Sequence, residues 1–113
     1  MVTQPETPRP ADAAERTTYM RRYALDPALA EEFVSFLTTQ VIPAREERGF
    51  TVESIWLSDG KDELTWFVSR PGDREEFAQA EQAWEESDER AAIFSGAPAY
   101  VSAKDLRPVT RLR

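Results

Sequence analysis

Tyr19, Arg21 and Tyr23 alternate along a stretch rich in β-branched and aromatic side chains, so a β-strand there places all three on one face. A guanidinium on such a face can hold a carboxylate or phenolate through two parallel hydrogen bonds. A phenol beside it can donate to an enolate or phenolate, or move a proton, and Tyr100 offers the same chemistry. The plainer roles are an Arg21–Glu53 ion pair across the sheet or a subunit seam, and tyrosine packing with satisfied hydroxyls. Glu53 is the candidate general base, because desolvation on a half-apolar sheet face raises a carboxylate's pKa. Trp56, Trp66 and Trp84, with Phe33 and Phe36, supply flat aromatic walls suited either to a small-molecule pocket or to ordinary core packing.

Composition removes most other chemistries. The chain has no cysteine and no histidine, which excludes thiolate nucleophiles, disulfides, Fe–S clusters and imidazole as ligand or base. No metal or cofactor is therefore expected, and an enzyme here would work with carboxylate, tyrosine and arginine, or by holding a reactive substrate. A net charge of −7, with basic residues grouped only at Arg107, Arg111 and Arg113, argues against nucleic acid. No apolar run is long enough to span a membrane and the N-terminus lacks a signal-peptide core, so a cytoplasmic protein is expected. At 113 residues, 41% hydrophobic and 31% charged, the chain is sized for one globular domain. Residues 1–16, with Pro5, Pro8 and Pro10 among charges, read as a flexible tail, leaving 17–113 as the domain.

Within that domain, residues 17–25 form the first strand. Asp26 caps a helix opened by Pro27, with an apolar stripe of Leu29, Phe33, Phe36, Leu37 and Ala44, a bend at Pro43 and a left-handed cap at Gly49. Residues 50–57 and 63–69 read as a hairpin. A three-residue loop ending at a left-handed Gly60 puts Phe50, Val52, Ser54 and Trp56 on the face of Leu64, Trp66 and Val68. The opposite face, with Thr51, Glu53, Ile55, Leu57, Thr65, Phe67 and Ser69, is too apolar for water, so a second copy of the sheet is the expected cover. Asp73 and Glu76 mark a second helix with Phe77, Ala80 and Trp84 inward. Ser87 or Asp88 begins a short third helix, and Glu75, Glu81, Glu85, Glu86 and Glu89 form a solvated acidic face. Residues 97–103 are expected to be loop and 106–112 an edge strand disturbed by Pro108.

Strand, helix, strand, strand, helix, strand is the ferredoxin-like βαββαβ order, an α+β fold with a four-stranded antiparallel sheet and helices on one face. The run Met20-Arg21-Arg22-Tyr23-Ala24-Leu25-Asp26-Pro27 resembles the opening of NIPSNAP-family domains, in which a leucine, an arginine, any residue and a tyrosine lead into a proline-started helix. Pro43 followed by Gly49-Phe50 is similar to that family's passage from helix into second strand, and Trp84 with Phe94 to its second helical region. Where the family usually has an acidic residue two positions before its arginine, this sequence has Tyr19. The resemblance covers residues 17–113 and implies the dimeric α+β barrel superfamily, in which two four-stranded sheets close into an eight-stranded barrel. It also makes Arg21 the one polar strand residue matched to the family.

The expected protein is thus a homodimer that binds a hydrophobic small molecule. It reads as a cofactor-independent enzyme of cyclase, isomerase or monooxygenase type acting on an aromatic or polyketide-like compound in specialised metabolism. Arg21, Glu53 and Tyr23 are its candidate catalytic residues, and Tyr19, Trp56, Trp66, Phe33, Trp84 and Tyr100 its candidate walls. The alternative is a non-catalytic dimeric interaction module.

Overall fold

The computed structural model describes residues 15–113. Its elements run β1 (Arg16–Leu25), a 3-10 turn (Pro27–Leu29), α1 (Ala30–Phe36), a π-helical segment (Leu37–Val41), α2 (Ile42–Glu47), β2 (Thr51–Leu57), β3 (Glu63–Pro71), α3 (Arg74–Glu85), α4 (Asp88–Phe94) and β4 (Val101–Val109). The strands form one antiparallel sheet in the order β2-β3-β1-β4. This is the ferredoxin-like α+β architecture. Of the expected tail, residues 1–14 lie outside the described residues, whereas Arg16 already belongs to β1 and the Glu15 carbonyl accepts from the Gly72 N–H.

Local signals fix the helix ends. The Asp26 carboxylate accepts from the Ala28 N–H at 3.0 Å, with Pro27 in the first turn where its missing N–H costs nothing. Asp73 and Glu76 close a full capping box on α3, and Ser87, rather than Asp88, caps α4 through the Arg90 N–H at 3.1 Å. Pro43 does not break its helix. The chain widens instead into the π-helical segment immediately before α2, and the Thr38 and Thr39 hydroxyls bond the Val34 and Ser35 carbonyls at 2.8 and 2.6 Å.

The β2–β3 hairpin departs from the sequence reading. Its loop is longer, with the Ser58 N–H donating to the Glu63 carbonyl, and the left-handed residue is Lys61, with φ 61°, rather than Gly60. Leu57 therefore pairs with Leu64, Ile55 with Trp66 and Trp56 with Thr65. That register, carried straight on, would turn Glu53 toward the helices and Val52 away from them. A bulge at Glu53 absorbs one residue, so Val52 pairs with Val68 and keeps its apolar side chain on the helix side. The consequence is that Ile55 and Leu57 lie on the helix face, while Ser54 and Trp56 lie on the open face. Trp56 is 64% exposed there.

The core fills the space between the sheet and the helices. Tyr23, Leu64, Trp66 and Val68 from the strands meet Ala30, Phe33, Leu37 and Val41 from the first helical region and Phe77 and Trp84 from α3, all buried. The last strand starts earlier than its apolar residues suggest, at Val101. Backbone pairing of residues 101–109 with β1 extends it, and Pro108 is tolerated because β4 is an edge.

Candidate functional site

Alternation along β1 sends Tyr19, Arg21 and Tyr23 toward the helices, opposite Val68, Trp66 and Leu64 of β3. Arg21 is almost wholly buried. Its Nε donates to Tyr23 Oη at 2.8 Å and its Nη1 to Glu81 Oε2 at 3.1 Å. Glu81 comes from α3, one turn after Phe77 and one before Trp84, which is why a residue of the inner stripe carries a charge. A second buried guanidinium, Arg45 of α2, reaches the same carboxylate, Nη1 to Oε1 and Nη2 to Oε2, each at 2.9 Å.

Aromatic rings pack around these charges. The Arg21 and Arg45 guanidinium carbons lie 5.5 and 5.6 Å from the Trp66 ring centroid, and Arg45 also sits 5.0 Å from Phe50 and 5.4 Å from Trp84. Such contacts offset part of the cost of taking an arginine out of water. Burial works against the Glu81 charge, but the hydrogen bonds and charges of Arg45 and Arg21 outweigh it, holding the carboxyl below its ordinary range. Burial likewise opposes the Arg21 charge, and the neighbouring Tyr23 oxygen and Glu81 more than compensate, keeping that guanidinium protonated.

Beside this cluster lies a cavity of about 190 Å³ between sheet and helices. Tyr23, Phe33, Trp66, Trp84, Phe94 and Tyr100 wall it, Arg21 and Arg45 reach its lining, and Leu37 and Val41 of the π-helical segment complete one side. Tyr100 donates to Glu32 at 2.6 Å; this bond, with burial and the carboxylate's charge, holds its phenol above the ordinary tyrosine range. The Trp66 indole N–H is buried without a partner among the described residues. Among the described residues no group of three or more carboxylates is placed to hold a metal ion, and no helix is long and apolar enough to cross a membrane.

The same architecture recurs in solved structures. A NIPSNAP family protein from Agrobacterium tumefaciens superposes with a TM-score of 0.73 at 9% identity, over 84% of this chain and 91% of that one. A NIPSNAP-like domain protein from Burkholderia xenovorans gives 0.75 at 13% identity, over 87% and 86% of the two chains. The fold is that of the NIPSNAP domain. A candidate antibiotic biosynthesis monooxygenase from Caulobacter crescentus shares it more loosely, with a TM-score of 0.64 at 12% identity over 88% of this chain and 92% of that one. No family model and no curated protein matches the sequence.

On this NIPSNAP scaffold the residues expected to form one site divide between the two sheet faces. Arg21, Tyr23, Phe33, Trp66, Trp84 and Tyr100 meet around the helix-side cavity. Tyr19 shares their face but is taken up by stacking on Phe77, with centroids 4.8 Å apart, and Phe36 packs on Phe94 and Tyr100. Glu53 and Trp56 lie on the open face, in a groove of about 720 Å³ with Phe67 and Val109. Glu53 accepts there from the Ser69 hydroxyl and cannot act as base for the helix-side cavity or pair with Arg21. The partner of Arg21 is Glu81, read from sequence as part of a solvated acidic face. Arg45 and Glu81 were the missed members, although both carry a helical-spacing signal: Leu37, Val41 and Arg45 on one side, Phe77, Glu81 and Trp84 on the other.

Proposed function

We propose that this chain binds a hydrophobic aromatic small molecule in the helix-side cavity and acts on it as a cofactor-independent enzyme of cyclase, isomerase or monooxygenase type. The observation that carries the reading is Tyr23. Its oxygen accepts from Arg21, so its own proton is available to a ligand oxygen or carbanion in an aromatic-walled space. The Arg21 charge at 2.8 Å would stabilise the phenolate left behind, and Glu81 fixes the orientation of Arg21 before any ligand arrives. The general base assigned to Glu53 has no place in this scheme. A fold shared with a candidate antibiotic biosynthesis monooxygenase is consistent with the reading by analogy, since one fold serves many activities.

The assembly belongs to the same proposal. The open sheet face presents Trp56, Phe67 and Val109 beside a polar end where Arg16 bonds Ser69 and Thr51. A second copy set on this face by two-fold symmetry would cover these groups and close an eight-stranded barrel, leaving both helix-side cavities accessible. Native mass spectrometry on gently purified protein tests both parts. A dimer with added small-molecule mass is the expected result. A bare monomer whose tryptophan fluorescence stays flat across a panel of phenols and apolar carboxylates would overturn the proposal.

A further inference from the structure

From the charge and size of the helix-side cavity, and resting on the reading of it as a ligand site, we infer that its ligand is a single-ring aromatic anion whose charge is received by Lys104 and Arg90. Of the side chains lining the cavity, Arg21, Arg45, Arg90 and Lys104 are cationic and Glu85 alone is anionic. Glu81, bonded to both Arg21 and Arg45, and Glu32, which accepts from Tyr100, cancel two further charges. The cavity is therefore locally positive in a chain of net charge −7, the reverse of what the average surface would give.

Lys104 has an unpaired charge to offer and Arg90 an unused donor. Lys104 makes no ion pair among the described residues, and its Nζ lies 5.3 Å from the centroid of the Tyr23 ring, the ring that bears the proposed proton donor. Arg90 stands over Phe94 at 4.4 Å and is ion-paired with Glu85 at 3.5 Å, while its buried Nε makes no hydrogen bond among the described residues. A guanidinium so placed lacks an acceptor that a ligand carboxylate would supply. The unpartnered Trp66 N–H is a neutral donor on the same wall.

Size sets the other limit. A cavity of about 150 Å³ suffices for benzene, so the 190 Å³ here is filled by one ring with a small substituent, and a fused second ring would project from its open side into solvent. This narrows the broad class of aromatic and polyketide-like compounds to benzoate-like acids and simple phenolates.

Calorimetric titration of the intact chain with benzoate, benzamide and 2-naphthoate tests the inference. Benzoate is expected to bind about tenfold more tightly than isosteric, neutral benzamide, as for loss of one charge-assisted contact. Lys104→Gln or Arg90→Gln should each remove much of that preference, lowering benzoate affinity far more than benzamide affinity. Added salt should weaken benzoate alone. Equal binding of benzoate and benzamide, unaffected by either substitution, would overturn the charge assignment and leave the ligand site standing. 2-Naphthoate binding as tightly as benzoate would overturn the size limit. Absence of binding by all three probes and by phenol would overturn both this inference and the ligand site beneath it.

Discussion

Arg45 and Glu81 meet through two parallel hydrogen bonds, Nη1 to Oε1 and Nη2 to Oε2, each 2.9 Å long, and the second oxygen also accepts from Arg21. One carboxylate of α3 thus ties the central strand β1 to α2. The cluster connects three elements far apart in the chain and holds still the arginine that touches Tyr23.

Removing that carboxylate strands two buried guanidiniums. Glu81→Gln is expected to cost roughly 3 kcal/mol, the usual consequence of breaking a buried ion pair from one side. Urea unfolding of the two proteins measures it. A difference below about 0.5 kcal/mol, the scale of ordinary surface changes, would show that the cluster does not hold the helices to the sheet.

The same residue predicts an acid dependence. Burial opposes ionisation of Glu81, but Arg45 and Arg21 bring its folded pKa below the unfolded value. Its contribution is therefore full above the ordinary carboxylate range and is lost as pH falls through the lowered value. The stability gap between wild type and Glu81→Gln should be widest near neutral pH and shrink in strong acid. A gap that stays constant across an acid titration would contradict this assignment.

Tyr23→Phe separates binding from chemistry. The substitution removes the proton donor and leaves Arg21 Nε without its acceptor, so a stability loss of about 1 kcal/mol is expected. Binding of the ligand retained in native mass spectrometry should survive, while its turnover falls by roughly a hundredfold or more. Turnover equal to wild type would remove Tyr23 from the mechanism.

Trp56→Glu and Phe67→Glu test the open face. Both residues lie outside the helix-side core, so each variant should keep its circular dichroism spectrum yet run as a monomer in size exclusion with light scattering. Ile55→Glu is a different experiment: Ile55 packs against the core, and that change should destabilise the fold itself. Wild-type protein that is already monomeric would refute the barrel.

Tyr100 should be a late-titrating tyrosine. Its hydrogen bond to Glu32, with burial and the carboxylate's charge, favours the neutral phenol. That stabilisation is present below the ordinary tyrosine range and disappears as pH rises through the elevated value. Ultraviolet difference titration should show an alkaline tail that Glu32→Gln moves to lower pH. Superimposable curves would mean that the Glu32 contact is not kept in solution.

The sequence by itself determined what depends on neighbours along the chain. Asp26-Pro27, Asp73 with Glu76 and Ser87 start helices because a side-chain oxygen satisfies N–H groups two or three residues away. Period-two and helical apolar spacing assigned most strands and helices, and the alternation of Tyr19, Arg21 and Tyr23 put them on one shared face, which the fold turns toward the helices. The fold class follows from the order of those elements. Tertiary structure decided whatever depends on parity or on distant partners. A single bulged residue at Glu53 reverses the faces of everything between it and the loop, sending Trp56 to the open side and Ile55 to the core, because keeping Val52 in the core outweighs an unbroken ladder. Glu81 carries the same helical-face signal as its apolar neighbours Phe77 and Trp84, but its role comes from Arg45 and Arg21, which are 36 and 60 residues away. Only folding brings such charges close enough, in a medium dry enough, for their interaction to matter.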